Sequence, residues 1–444
     1  MLQLFGSGLI SLWLDLAGVH AKPLDVLDLT LYRPGLVLAP DPNPAAVTTV
    51  QQYLKELADL GLVTAAQGIW IQSGPMLLAN NYGTVPLPAA SLTKIATSLA
   101  ALKTWGPDRQ FETLISVTGP IKNGVLHGDL VIQGGGDPFF VWEEVIALGN
   151  SLNKLGINRV TGNLVISGNF AMNYKTNPLE VGQLVKEGLN AASWTNTAAA
   201  QYLTLPKGTA RPQVVISGSV QVGAIPFKNV NGRYNLLSPK QILLLRHRSL
   251  PLSQILKEMN VYSNNEMAQM LANLLGGALE VQQKAAIAAG VPQTEIQLIN
   301  GSGLGVENRI APRAVCAMLM AIQRELEPHQ LSVADLFPVA GRDRRGTMQT
   351  RHIPAATVVK TGTLNDVSAL AGVMPTRDRG LVWFAILNRG TDLGGLRAKQ
   401  DSLLQRLLHQ WRSPTLPTAL IPHSVGSNSS QLGASGRNEI LYKS

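Results

Sequence analysis

Residues 45–62, AAVTTVQQYLKELADLGL, place apolar and polar positions at helical rather than strand spacing, so an amphipathic helix is expected there. Two short β-prone runs follow, QGIWIQS (67–73) and PMLLANNYG (75–83), joined through Ser-Gly-Pro. In SLTKIATSLAAL, Leu92, Ile95, Leu99 and Leu102 recur at helical period and form one apolar stripe. Pro86 and Pro88 stand just before it, which predicts a helix starting close to Ser91. From about 115 to 235 the chain changes to short β-prone pieces broken by glycine, such as GDLVIQGGGDP, GNLVISGN and PQVVISGSVQVGAIPF. Helical patterns return over 238–325. Three β-prone runs come next, AATVVKTGT, VSALAGVMPT and GLVWFAILNRG; the last two flank Arg-Asp-Arg-Gly and predict a hairpin. The helix LRAKQDSLLQRLLHQW closes the pattern, and from Ser413 the chain has the Ser, Gly, Pro and Asn content of a disordered tail.

This order predicts an α+β layered domain assembled from both ends of the chain. The first two strands and the last three would make one antiparallel five-stranded sheet between helical layers. The helices at 45–62 and 396–411 would cover one face and the Ser91 helix the other. The expected organisation is an N-terminal extension (1–44), a discontinuous domain (45–114 and 236–412), an inserted β-rich region (115–235) and a tail (413–444). Within the extension, LFGSGLISLWL is too short to span a bilayer, and although it has the look of a secretory h-region, no basic residue precedes Lys22.

The 444 residues are 45% hydrophobic and 15% charged, a globular composition with a sizeable core. The net charge of +9 suits anionic partners, an acidic wall polymer among them, but the basic cluster GRDRRGTMQTRH has no interleaved aromatics and no zinc-finger spacing, which disfavours nucleic acid. A single cysteine, Cys316, lies in an apolar helical stretch and reads as core. The seven histidines form no pair at zinc-ligand spacing, so neither a metal nor another cofactor is expected.

Chemistry enters with Ser91-Leu92-Thr93-Lys94. Residues three apart on a helix are neighbours, so the hydroxyl and the amine can meet. The tetrad alone decides little: it recurs at Ser151–Lys154, where it looks like an exposed helix end. Two further motifs follow in order, Ser263-Asn264-Asn265 and Lys360-Thr361-Gly362. Ser-x-Asn also recurs, but Lys-Thr-Gly occurs once, at the end of a strand-like run. Together the three are the signature set of serine β-lactamases and penicillin-binding proteins. Asp137 in GGGDP reads as a turn residue.

From about residue 65 to 410 the sequence resembles the low-molecular-mass penicillin-binding proteins of the D-alanyl-D-alanine carboxypeptidase/endopeptidase group, which carry a large insertion after the nucleophile helix. The resemblance is carried by LPAASLTKIATSLAAL, GDLVIQGGGDP, YSNNEMAQMLANLLG, NGSGLGVENRIAP and VVKTGTLNDVSALAGVM. Asn300, where Asp is more usual, and Gln269, where Glu is frequent, depart from it. The resemblance implies a serine β-lactamase/transpeptidase-like fold and a cell-envelope or periplasmic location with peripheral association. It implies peptidoglycan peptides as substrates and β-lactams as inhibitors. It assigns Ser91 as nucleophile, Lys94 as its base with the Lys360 charge helping to depress the lysine pKa, Ser263 as proton relay and Asn265 as the residue orienting Lys94. Lys360, Thr361 and Thr363 would bind the substrate carboxylate, with Gly362 in the same strand, and the N–H groups of Ser91 and Thr363 would form an oxyanion hole. The insertion becomes a candidate for substrate access or wall positioning. Three rivals stay open here: a β-lactamase-like enzyme, which the long insertion disfavours; a general esterase; and a catalytically silent wall-binding protein, which the intact motifs disfavour.

Overall fold

The computed structural model describes residues 39–41, 44–223, 241–414 and 431–442. Within these, both ends of the chain build one sheet with strand order 39–40, 76–81, 67–73, 380–389, 367–376 and 358–364. The five longer strands pair antiparallel, as expected, and Ala39–Pro40 adds a short parallel strand at one edge. Val367–Thr376 is buried at every position, and its largely apolar run, with Ser368 and Thr376 the polar exceptions, is what a strand covered on both faces needs. Val358–Leu364, which carries the Lys-Thr-Gly motif, is the opposite edge strand.

The helices Ala45–Ala58 and Leu393–Trp411 cover one face, with Tyr53, Leu57, Leu403 and Trp411 packed on Ile69, Ile71, Phe384 and Ile386. A buried polar network pins them. Tyr53 and Gln400 both donate to Asn388 Oδ1 at 2.8 Å, and the Asn388 amide donates to Gln67 Oε1 at 2.8 Å. The other face carries Pro312–Leu326, and the helix Thr93–Trp105 packs against it. The sequence suggests a single apolar stripe on Thr93–Trp105, yet all ten residues from Thr93 to Leu102 are buried, Lys94 included. Alanine and hydroxyl residues on its other faces let neighbours close in from every side.

The inserted unit holds the expected strands and more helix than the sequence pattern suggested. Its main sheet runs 220–222, 164–169, 130–135, 112–117, 242–248 and 438–440. Leu130–Gly135, Leu164–Asn169 and Val220–Val222 are parallel, so the chain must cross over between them. The helices Trp142–Lys154 and Pro178–Leu189 lie in those crossovers. Ile242–Arg248, ILLLRHR, lies in the region read as helical but is a strand paired with Glu112–Val117. A short apolar run has no periodicity to separate the two states. The inserted sheet thus extends past the expected 115–235 limits at both ends.

The tail expectation changes for residues 431–442. Asn438–Ile440 pairs antiparallel with Ile242–Arg248, and Arg437, 5% exposed, forms an ion pair with the buried Glu144. Partners far away in sequence order this segment, which local pattern does not announce. The signal-like segment lies outside the described residues, among which no helix is long and apolar enough to cross a membrane.

Candidate active site

Ser91 lies in a 3-10 turn, Ala90–Leu92, that runs directly into the helix Thr93–Trp105. Ala90 has φ +47°, a left-handed conformation costing a residue with a β-carbon about 1–2 kcal/mol. Gly303 packs against this turn so closely that a β-carbon there would lie 1.8 Å from the Ala90 carbonyl oxygen. The close packing of Gly303 holds the strained turn, and with it Ser91 at the head of the helix.

Lys94, one turn on, is fully buried. Its ammonium donates to Ser91 Oγ at 2.9 Å, Asn265 Oδ1 at 2.7 Å and the Ser302 carbonyl at 2.8 Å. Burial pushes its pKa down to about 7, against a smaller upward pull from the Glu266 carboxylate. Three acceptors saturate an ammonium. A neutral amine keeps two N–H groups and a lone pair, and the Asn265 and Ser302 oxygens can only accept. The lone pair is therefore left for the Ser91 hydroxyl.

Ser263 ends the helix Leu252–Tyr262 at φ +54°, and the helix Asn265–Leu274 begins two residues later. Asn264 caps the second helix, accepting from Met267 N at 2.8 Å. Capping is thus the task of the middle motif residue, which leaves Asn265 to reach Lys94 and Ser263 to reach Lys360. Lys360, also fully buried, donates to Ser263 Oγ at 3.0 Å and to the Thr361 carbonyl at 2.8 Å. Burial, then the nearby Lys94 cation, holds its pKa well below the usual lysine value. Burial is the first cause of the lowering at both lysines, and the repulsion between the two cations is shared by the pair.

The edge strand passes beside the nucleophile. A β-carbon on Gly362 would sit 3.0 Å from Ser91 N and from the Ala89 carbonyl oxygen, so glycine permits this approach. Thr361 Oγ1 donates to Thr347 Oγ1 at 2.8 Å, and the exposed Thr363 accepts from Arg397 at 3.0 Å. All eight residues singled out from the sequence thus lie close together, in two adjoining hydrogen-bond networks and a strand edge.

Ser302, Gly303 and Thr347 were not anticipated as parts of the site. The Gly-Ser-Gly-Leu run was a signal for the first two, since its turn presents the Ser302 carbonyl to Lys94. The departures at 269 and 300 preserve the chemistry of that turn. Gln269 Oε1 accepts from Gly301 N at 3.0 Å, and Asn300 Oδ1 accepts from Gly303 N at 2.8 Å, as carboxylate oxygens could. Asp137 is buried in a turn, its Oδ1 accepting from Phe139 N at 2.8 Å, and burial raises its pKa to about 7. It borders a cavity of about 450 Å³ between the inserted unit and the helix Asn265–Leu274, with Asn169, Phe170 and Met270 among its walls.

A family model for the D-Ala-D-Ala carboxypeptidase 3 (S13) family matches residues 49–178 and 232–410, stretches that contain all eight site residues. The chain belongs to this family. It is thereby a serine-type D-Ala-D-Ala carboxypeptidase, as the motifs led one to expect. Among its relatives, D-alanyl-D-alanine carboxypeptidase DacB of Haemophilus influenzae is 25% identical over 80% of this chain and 90% of that protein. The D-alanyl-D-alanine carboxypeptidase of Actinomadura sp. (strain R39) is 25% identical over 86% of this chain and 89% of its own length. Solved structures support the fold. A penicillin G-acylated predatory endopeptidase of Bdellovibrio bacteriovorus, bound to an immunity protein, superposes with TM-score 0.65 at 22% identity, covering 79% of this chain and 96% of the other. Penicillin-binding protein 4 (DacB) of H. influenzae gives 0.57 at 19%, covering 81% and 99%.

Proposed function

We propose that Ser91 is the nucleophile of this carboxypeptidase, with Lys94 as its base, acting on the D-alanyl-D-alanine ends and D-alanyl cross-links of peptidoglycan stem peptides in the cell envelope. The observation that carries this reading is the three-acceptor shell of Lys94, which leaves a neutral amine with one free direction, toward Ser91 Oγ. Ser91 Oγ attacks the scissile carbonyl carbon and passes its proton to Lys94 Nζ. The C–N bond then breaks as the proton held by Lys94 passes to the departing amine with Ser263 as relay, leaving Lys94 neutral, while Lys360 holds the Ser263 hydroxyl in place. Water attacks the ester carbonyl and gives its proton to neutral Lys94, which passes it to Ser91 Oγ as the acyl–oxygen bond breaks, restoring both groups. The backbone N–H groups of Ser91 and Thr363, on the turn and the strand that approach each other at Gly362, stabilise the tetrahedral oxyanion in this reading, at about 3 kcal/mol per donor. A β-lactam acylates the same oxygen, but its amine stays tethered.

Intact mass against time after adding benzylpenicillin tests the assignment. A one-equivalent adduct is expected in the native protein and none in Ser91→Ala. An adduct of the same mass in Ser91→Ala would exclude Ser91. Rapid clearance with drug hydrolysis would instead favour a β-lactamase-like role.

A further inference from the structure

Recognition of a free C-terminal carboxylate needs a positive charge that can reach it. Lys360 is poorly placed to supply one. Its amine is fully buried, already donates to Ser263 Oγ and the Thr361 carbonyl, and is held in surroundings that disfavour its charged form. The threonine hydroxyls beyond it are neutral.

We propose that Arg397 is the charged half of the carboxylate-recognition site: its guanidinium, with the Thr361 and Thr363 hydroxyls, receives the free terminal carboxylate of the peptide. Arg397 stands early in the helix Leu393–Trp411, half-buried, and its Nη2 donates to Thr363 Oγ1 at 3.0 Å. That is its sole polar contact among the described residues, and no carboxylate neutralises it. Four other arginines in this part of the chain are paired with carboxylates: Arg351 with Asp401, Arg389 with Asp366, Arg406 with Glu56 and Arg412 with Asp378. Thr361 and Thr363 are two apart on an edge strand, so their side chains emerge on the same side roughly 7 Å apart, a gap a carboxylate can bridge with one hydrogen bond to each. Guanidinium stays charged at every working pH and offers a planar fork matched to a carboxylate.

This inference rests on the Ser91 reading. The test measures kcat/KM for two forms of one acylated Lys-D-Ala-D-Ala peptide, the free acid and the C-terminal carboxamide, by mass spectrometric detection of released D-alanine and D-alaninamide. Native protein, Arg397→Met and Arg397→Lys are compared, each first titrated with benzylpenicillin. The native enzyme is expected to favour the free acid. Arg397→Met should lower the acid-to-amide ratio about 10- to 100-fold, the size of one charge-assisted contact, and Arg397→Lys should restore part of it. A ratio within twofold of native in Arg397→Met overturns the proposal, whatever loss the two substrates share. So does a native enzyme that binds benzylpenicillin but shows no preference. A native protein that neither takes up benzylpenicillin nor cleaves either peptide overturns the Ser91 reading and this inference with it.

Discussion

If Lys94 is the base, the acylation rate follows its neutral form. A pKa of about 7 makes roughly a tenth of the amine neutral at pH 6, half at pH 7 and nine-tenths at pH 8. Acylation of Ser91 by benzylpenicillin is therefore expected to rise about tenfold from pH 6 to 8 and then level off. An ordinary lysine would be neutral in only about 3 molecules in 10,000 at pH 7, so burial enlarges the reactive fraction roughly a thousandfold. The same shift has a cost in stability. Between pH 7 and 10.5 the unfolded chain holds a proton at residue 94 that the folded state has lost, so this group's contribution to stability increases with pH across that window. Below pH 7 both states are protonated and the whole penalty stands, on the order of 5 kcal/mol at about 1.4 kcal/mol per unit. Lys94→Met removes both effects. Its acylation rate should fall by about 10²- to 10⁴-fold, and its stability should climb less between pH 7 and 10, with Lys360 still supplying its own rise. The variant also strips Asn265 Oδ1 and the Ser302 carbonyl of their donor, so the informative quantity is the slope of stability with pH, from denaturant titrations at pH 7, 8.5 and 10. A native acylation rate that is flat from pH 6 to 8.5, or native-like acylation by Lys94→Met, would exclude Lys94 as the base.

Two further outcomes are expected. Gly303→Ala places a methyl group against the Ala90 carbonyl at φ +86°, so the turn bearing Ser91 must move; adduct formation should drop at least about tenfold, and an unchanged rate would show that the turn is not held by this contact. Arg437→Met leaves Glu144, 1% exposed, buried without its cation, and should lower stability by about 3–5 kcal/mol in denaturant titration. Because Arg437 braces the inserted sheet and not the Ser91 network, the folded variant should still acylate; a loss below about 1 kcal/mol would mean that residues 431–442 do not stay docked.

What the sequence determined by itself was whatever depends on neighbours in the chain. The five main strands and the closing helix were legible because their apolar runs have a clear length and period. Ser91 and Lys94 were legible as a pair because helical geometry makes residues three apart adjacent, and Lys-Thr-Gly was legible because it occurs once, on a strand. Tertiary structure decided the rest. The pKa of Lys94 depends on what encloses the helix, and those groups come from residues 265 and 302. Asn264 takes the cap and Asn265 the lysine only because the left-handed Ser263 turns the chain between two helices. Parallel strands in the inserted unit called for crossover helices that glycine-broken β-prone pieces did not announce. Residues 431–442 have only a short apolar run, at their end, yet they become ordered by pairing with a strand almost 200 residues away. Local propensity cannot encode a partner at that distance; the free energy that orders the segment belongs to the folded surface it meets.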